Sequence, residues 1–185
     1  RWAEIYGRLV VLALLFSGLL GLLAEVSGRW ARDFSLGAYG HGVLFCLTVG
    51  FYFIITSLPA GLYSTFALEA KFGFNKTTLS LYFTDKFKAL VLGFVIGAPF
   101  LLVVIWLMDA IGAYWWIWAF AFISIFQLLM IVIFPTWIAP WFNKFEPLQD
   151  GELRRRILAL AEQVGFQTSG IFSMDGSKRS AHSNA

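Results

Sequence analysis

The sequence predicts an all-α membrane protein of four transmembrane helices, with a small cytoplasmic α/β piece at its end. Three observations predict it. First, 59% of the 185 residues are hydrophobic and only 14% are charged, with mean hydropathy +0.74. Soluble domains use apolar residues for about half of the chain, so lipid must replace water over much of this surface. Second, four apolar stretches each approach or exceed the roughly 20 helical residues that cross a bilayer. Third, after Ala139 the composition turns to that of a soluble domain. The first region is therefore 1–139, all membrane helices, and the second is 140–185.

The first span is read at residues 9–26. Arg8 before it imitates a signal peptide, but its length and Glu25 near its end favour a true span. The second runs over 43–66 and the third over 89–108, with Pro59 and Pro99 placed to kink them. Gly93 and Gly97 are spaced for close helix approach, a weak signal that more often means packing than function. The fourth, 114–139, carries its own ruler. Tyr114, Trp115, Trp116 and Trp118 crowd one end, and Trp137 and Trp141 mark the other. Tyr114 to Trp137 covers about 34 Å at 1.5 Å per residue, a hydrocarbon core plus its interfaces.

Loop charges orient the helices. Lys71, Lys76, Lys86 and Lys88 follow span two, and Lys144 with Arg154, Arg155 and Arg156 follows span four. Arg1 and Arg8 fall on the same side, whereas the other side has Arg29 and Arg32, partly offset by Asp33 and Asp109. The positive-inside rule then places 67–88 and 140–185 in the cytoplasm. The spans are chemically quiet: Gln127 is the main polar side chain at depth, and no Asp, Glu, Lys or Arg sits mid-span. Ion pumps and proton-coupled transporters place ionisable groups there, so their absence argues against transport. No internal repeat supports an inverted-repeat transporter either.

Beyond Ala139, Asp150 is a predicted N-cap, Glu152 sits in the first turn, and Leu153, Ile157, Leu160, Ala161 and Val164 recur at helical spacing until Gly165. The three arginines read as a solvated face near anionic headgroups, with no nucleic-acid partner expected. A strand is predicted over 171–174, then a turn at Asp175-Gly176. Cys46 is the lone cysteine, which excludes a disulfide within the chain and a Cys-rich metal site. His41 and His182 are the two histidines and lie on opposite sides by this orientation. His182 between Ser180 and Ser183 does not make a catalytic set, because neighbours in an extended stretch point to alternate faces. Both histidines read as structural or exposed. The chain starts at Arg1 rather than Met, and the expectation is a piece of a larger membrane protein.

Four ordered segments, "EAKFGFNKTT" (69–78), "FTDKFK" (83–88), "PWFNKFEPLQDGELRRRI" (140–157) and "DGSKRSAHSNA" (175–185), together resemble the integral-membrane zinc metalloproteases of the CAAX prenyl protease 1 type. "EAKFGFNKTT" (69–78) resembles that family's E-x-x-F/H-G-F-N-K signature, and "FTDKFK" (83–88) resembles its F-x-D-x-x-K. "PWFNKFEPLQDGELRRRI" (140–157) resembles P-x-F-N-K-F-x-P-L-x-x-G-E-L, and "DGSKRSAHSNA" (175–185) resembles D-G-S-K-R-S-x-H-S-N-A. The likeness covers most of the chain from span two onward and the first span more loosely.

The resemblance implies that residues 140–185 begin an incomplete, zincin-like protease domain. In the family an H-E-x-x-H motif and a distal Glu, downstream of the S-N-A stretch, hold Zn²⁺ and activate its water. This chain carries neither that motif nor the family's first span, so no catalytic residue and no metal ligand is expected in it. Its implied share is the membrane chamber and the rim of the active site, inactive by itself. The partners expected are the lipid bilayer, a peptide substrate that is CAAX-type or otherwise membrane-associated, and the missing C-terminal part. That part would belong to the same polypeptide or a second fragment.

By the same resemblance, the stretch through Ser183, Asn184 and Ala185 lines the cleft, where substrate adds as an extra strand. Small residues suit this, and Asn184 would hydrogen-bond near the substrate carbonyl. The competing reading is that Asn184 only holds a turn. Glu69, Gly73, Phe74, Asn75, Asp85, Lys88, Asn143 and Pro147 are the family-motif residues with structural roles. Gly73 permits a tight turn, Phe74 plugs the membrane boundary, and the loop docks the protease domain; Asp85 and Lys88 are spaced to pair on one helix face. The alternatives are a non-catalytic membrane scaffold that keeps the shape without zinc, and a transporter or channel subunit.

Overall fold

The computed structural model describes residues 2–168, 170–179 and 181. Helices α1 (Trp2–Phe16) and α2 (Leu19–Asp33) come first, then α3 (Gly37–Leu62), which continues as a π-helical segment over Tyr63–Glu69. Helix α4 (Leu79–Ala110) returns, and a 3₁₀ turn at Gly112–Tyr114 leads into α5 (Trp115–Ile133). That helix widens to a π segment at Phe134–Ile138 and ends as α6 (Ala139–Phe142). The remainder is β1 (Phe145–Pro147), α7 (Glu152–Gln163), β2 (Phe172–Met174) and a 3₁₀ turn at Gly176–Lys178. It is a multi-pass membrane protein.

Three helical stretches, 37–69, 79–110 and 112–142, are long and apolar enough to cross a membrane, and they contain the second, third and fourth predicted spans. The stretch predicted as the first span is broken. α1 and α2 meet at 67°, because Gly18 adopts φ 74 and Ser17 turns its hydroxyl back to the Ala13 carbonyl. The left-handed backbone stops one helix and starts another, and only glycine takes it without a Cβ penalty. The bent pair still lies along α3. The Tyr6 hydroxyl donates to the Thr56 carbonyl at 2.7 Å and the Tyr52 hydroxyl to the Val10 carbonyl at 3.1 Å. At the far end, Gly28 faces His41, whose Nε2 lies 3.4 Å from where a Cβ on that glycine would be.

Helices pack in sequence order, α2 on α3, α3 on α4 and α4 on α5. Between the last two, Phe100 meets Phe126 at 4.7 Å and Phe122 at 5.3 Å between ring centroids. Few side chains among the described residues are buried; Leu14, Ala31, Tyr82, Leu107, Ala119 and Ile138 are the apolar ones, and Ser27 is the fully enclosed one. Much of α5 stays open, with Phe120, Leu128 and Ile131 among its exposed side chains. In a bilayer such a surface meets acyl chains rather than water. Pro99 sits inside α4 without ending it. The Gly93/Gly97 face receives no partner helix among the described residues, nothing lying within 4 Å of a Cβ built at either position.

At the other end of the chain, β1 and β2 pair antiparallel, with Phe145 opposite Met174 and Pro147 opposite Phe172. Asp150 is not the N-cap of α7. Gly151 takes that position without a side-chain cap, and Asp150 instead pairs with Arg154 one turn on, as Glu152 does with Arg156. The C-terminus is as the sequence suggests. Gly165, at φ 69, lets its own N–H reach Glu162 O at 3.0 Å and that of Phe166 reach Ala161 O at 2.8 Å, closing a Schellman turn.

Candidate functional site

The site is built where the lysine-rich loop after α3 meets the segment after β2. Gly73 has φ 73, which folds the loop back so that Phe74 N–H donates to Glu69 O at 2.9 Å. Asn75 then closes an Asx turn, its Oδ1 accepting from Thr77 N–H at 2.7 Å. Thr78 caps α4 by accepting from Leu81 N–H at 3.2 Å. These contacts present the backbone of residues 74–77 outward, as an open edge.

That edge is occupied. Lys76 N–H donates to Arg179 O at 3.1 Å, and Ala181 N–H donates to Phe74 O at 2.8 Å. The two bonds form an antiparallel main-chain pair. The Thr77 hydroxyl adds a third bond to the same Arg179 carbonyl at 3.0 Å.

The Arg179 side chain reaches the other way. Its Nε donates to Asp85 Oδ2 at 2.8 Å and its Nη2 to Asp85 Oδ1 at 3.1 Å, a two-point fork. Nη1 donates to Asn143 Oδ1 at 2.5 Å and Nη2 to Phe142 O at 2.6 Å. The guanidinium therefore ties α4, the end of α6 and the post-β2 segment together. The Asp85 carboxylate raises the pKa of Arg179 further above its ordinary value, against a smaller opposing effect of burial.

Asp85 and Lys88 are thus not partners. Lys88 Nζ donates to Trp141 O at 2.8 Å, so the last turn of α6 carries two cations on its final carbonyls, where the helix dipole favours them. The physical reason is competition. A three-apart pair on an exposed helix face contributes about 0.3–0.5 kcal/mol, whereas the arginine fork satisfies both oxygens of a carboxylate only about a fifth exposed.

Several of the other described motif residues have clear places. Pro147 lies on β1, and Asp175 N–H donates to Lys144 O at 3.1 Å, which turns the chain from β2 towards Arg179. Asp175 pairs with Lys178 at 2.5 Å, and this contact holds its carboxyl below the ordinary range. The Glu69, Asp85 and Arg179 side chains line a cavity of about 340 Å³ with Lys86 and Tyr82. Phe74 stacks on Phe72 with ring centroids 6.4 Å apart. His182, Ser183, Asn184 and Ala185 lie outside the described residues. Among the described residues no three His, Cys, Asp or Glu side chains converge as a metal-ligand set, so the zinc implied by the resemblance does not fit the part of the chain described.

Sequence reasoning missed Arg179. Within "DGSKRSAHSNA" it reads as one cation of a basic tail, and its partner stands 94 positions earlier. No signal in the sequence pointed to it, because Lys88 at helical spacing already offered Asp85 a partner.

The family profile described as CAAX prenyl protease N-terminal, five membrane helices, matches residues 1–144. CAAX prenyl protease 1 of Saccharomyces cerevisiae is 47% identical over 133 residues, which cover 71% of this chain and 29% of the relative. A CAAX prenyl protease 1 homolog of Arabidopsis thaliana is 39% identical over 94% of this chain and 42% of its own length. The human homolog is 32% identical over all of this chain and 39% of its own. The crystal structure of S. mikatae Ste24p superposes on 99% of this chain with TM-score 0.92 and 34% identity, using 43% of that molecule. The chain spans less than half the length of each of these relatives.

Proposed function

The chain belongs to the CAAX prenyl protease family, and from that premise we propose that it supplies the membrane chamber and substrate-cleft strand of a zinc metalloendopeptidase. The whole protein cleaves CAAX-type or other membrane-associated peptides, and residues 67–88 and 140–185 face the cytoplasm. Zinc is held by a downstream motif, and this chain alone is inactive. Ser183, Asn184 and Ala185 offer the backbone edge to which substrate adds, so that main-chain hydrogen bonds place the scissile bond.

The observation that carries the reading is the anchoring of Arg179 and Ala181. A strand that must hold a peptide in one register needs a fixed origin. Here that origin is a main-chain pair to the Phe74–Lys76 loop and an arginine fork to α4. The small sheet gives further support, since β1 and β2 aim the chain from the membrane boundary towards that point.

The test uses the complete polypeptide in liposomes and a prenylated, CAAX-terminated peptide. The reading expects cleavage near the peptide's C-terminus, loss on chelation with recovery on adding Zn²⁺, and no cleavage by residues 1–185 alone. A complete, metal-loaded protein that binds the peptide without cutting it would leave the scaffold alternative instead.

A further inference from the structure

We propose that Arg179 is a positioning residue for peptide cleavage: with Ala181 it locks the main chain to the Phe74–Thr77 loop, and its side chain locks it to α4, and so it sets the register in which the next residues meet substrate. This deepens the proposed function and rests on it. The residue's two halves do separate work. Its carbonyl receives Lys76 N–H and the Thr77 hydroxyl, which fixes the chain along the loop edge. Its guanidinium spends its donors on Asp85, Asn143 and the Phe142 carbonyl, which fixes the chain across the helix ends. Asn184 follows Ala181 by three residues in sequence. In a main-chain pair such as that of Phe74 and Lys76 with Ala181 and Arg179, a slip of one residue turns every side chain to the opposite face. Holding Arg179 both along the loop and across the helix ends removes that freedom at this point.

Lysine does not replace arginine here. Its ammonium is a single point of donation and cannot span both Asp85 oxygens while also reaching Asn143 and Phe142. The same fold therefore persists with a looser strand origin. Because misplacing reacting groups by about 1 Å costs on the order of 100-fold, the loss falls on turnover.

The experiment compares wild type, Arg179→Lys and Asp85→Asn in the complete protein, with the prenylated CAAX peptide as probe. Melting temperature and amide hydrogen exchange of the 74–78 peptide are read beside kinetics. Expected in both variants are a kcat lower by about 10- to 100-fold, KM within about threefold of wild type, and a melting temperature within a few degrees. Exchange at the Lys76 amide quickens. The double variant is no worse than the worse single one, since both act through one contact. Arg179→Lys with kcat within about threefold of wild type, or a loss of kcat that only follows the folded fraction, overturns the proposal. If wild type itself cuts nothing, the protease reading fails separately and exchange decides the lock. Faster exchange in Arg179→Lys keeps it, and unchanged exchange removes it.

Discussion

At the scale of single residues, Gly73 and Asp175 make the loop edges that the site depends on. Gly73 sits at φ 73 with open space where a Cβ would go, so Gly73→Ala brings backbone strain alone, roughly 1–2 kcal/mol. Its melting temperature should drop, with faster proteolysis between residues 72 and 76, and an unchanged melt would mean the turn is not held as described. Asp175 is a linkage case. Lys178 holds its folded-state pKa below the ordinary aspartate value of 3.8. A depressed carboxylate contributes stability above the unfolded value and loses it as pH falls through the folded one. The difference in melting temperature between wild type and Asp175→Asn is therefore constant at neutral pH and closes below pH 3.8. Arg179 stays charged throughout, because its own pKa moves upward.

This is also the scale at which the sequence was least informative. Asp85 and Lys88 were legible as paired charges from their spacing alone, yet each reaches a different element, the one to Arg179 and the other to the Trp141 carbonyl. Spacing along one helix reports which side chains are near each other. It does not report a stronger partner brought in from 94 residues away. The role of Gly73 was legible, since a tight turn between two helices calls for a left-handed residue.

At the scale of elements, α3 approaches α4 closely at two glycines, Gly42 against Ile105 and, more tightly, Gly61 against Tyr82. A Cβ on Gly61 would come within 2.5 Å of the Tyr82 hydroxyl, and that hydroxyl is buried with no hydrogen-bond partner among the described residues. Tyr82 is otherwise well held, edge-on to Phe66 and with Lys86 Nζ 5.5 Å from its ring centroid. Gly61→Ala overpacks this contact and should cost about 1–3 kcal/mol. Tyr82→Phe removes an unsatisfied polar atom and should be neutral or stabilising. In the double variant the phenyl ring leaves room for the methyl, so thermal unfolding should recover most of the loss. Additive effects would contradict the contact. The helices were legible from hydropathy, and the end of α7 from Gly165. The break at Gly18 was not, because a window of apolar residues averages over one left-handed glycine. Asp150 failed as a cap because Gly151, extended at φ −175, took the position, which freed the carboxylate for Arg154.

At the scale of the whole molecule, the membrane character followed from composition, and most of the aromatic and aliphatic surface remains uncovered by the chain itself. The family followed from four ordered motifs, and their spacing has a structural reason. Residues 69–78, 83–88, 140–147, 175–179 and 181 lie far apart in sequence but meet at one end of the helices around Arg179. The motifs read as separate signatures because each supplies one part of a single brace. In the proposed function, the brace anchors the chain three residues before Asn184, at Ala181. The most direct measurement is kcat/KM of Asn184→Ala in the complete protein against the prenylated CAAX peptide. A fall of about 100-fold or more, as for a lost hydrogen bond to a reacting carbonyl, is predicted. A value within about threefold of wild type would contradict a substrate-cleft role for this chain's end.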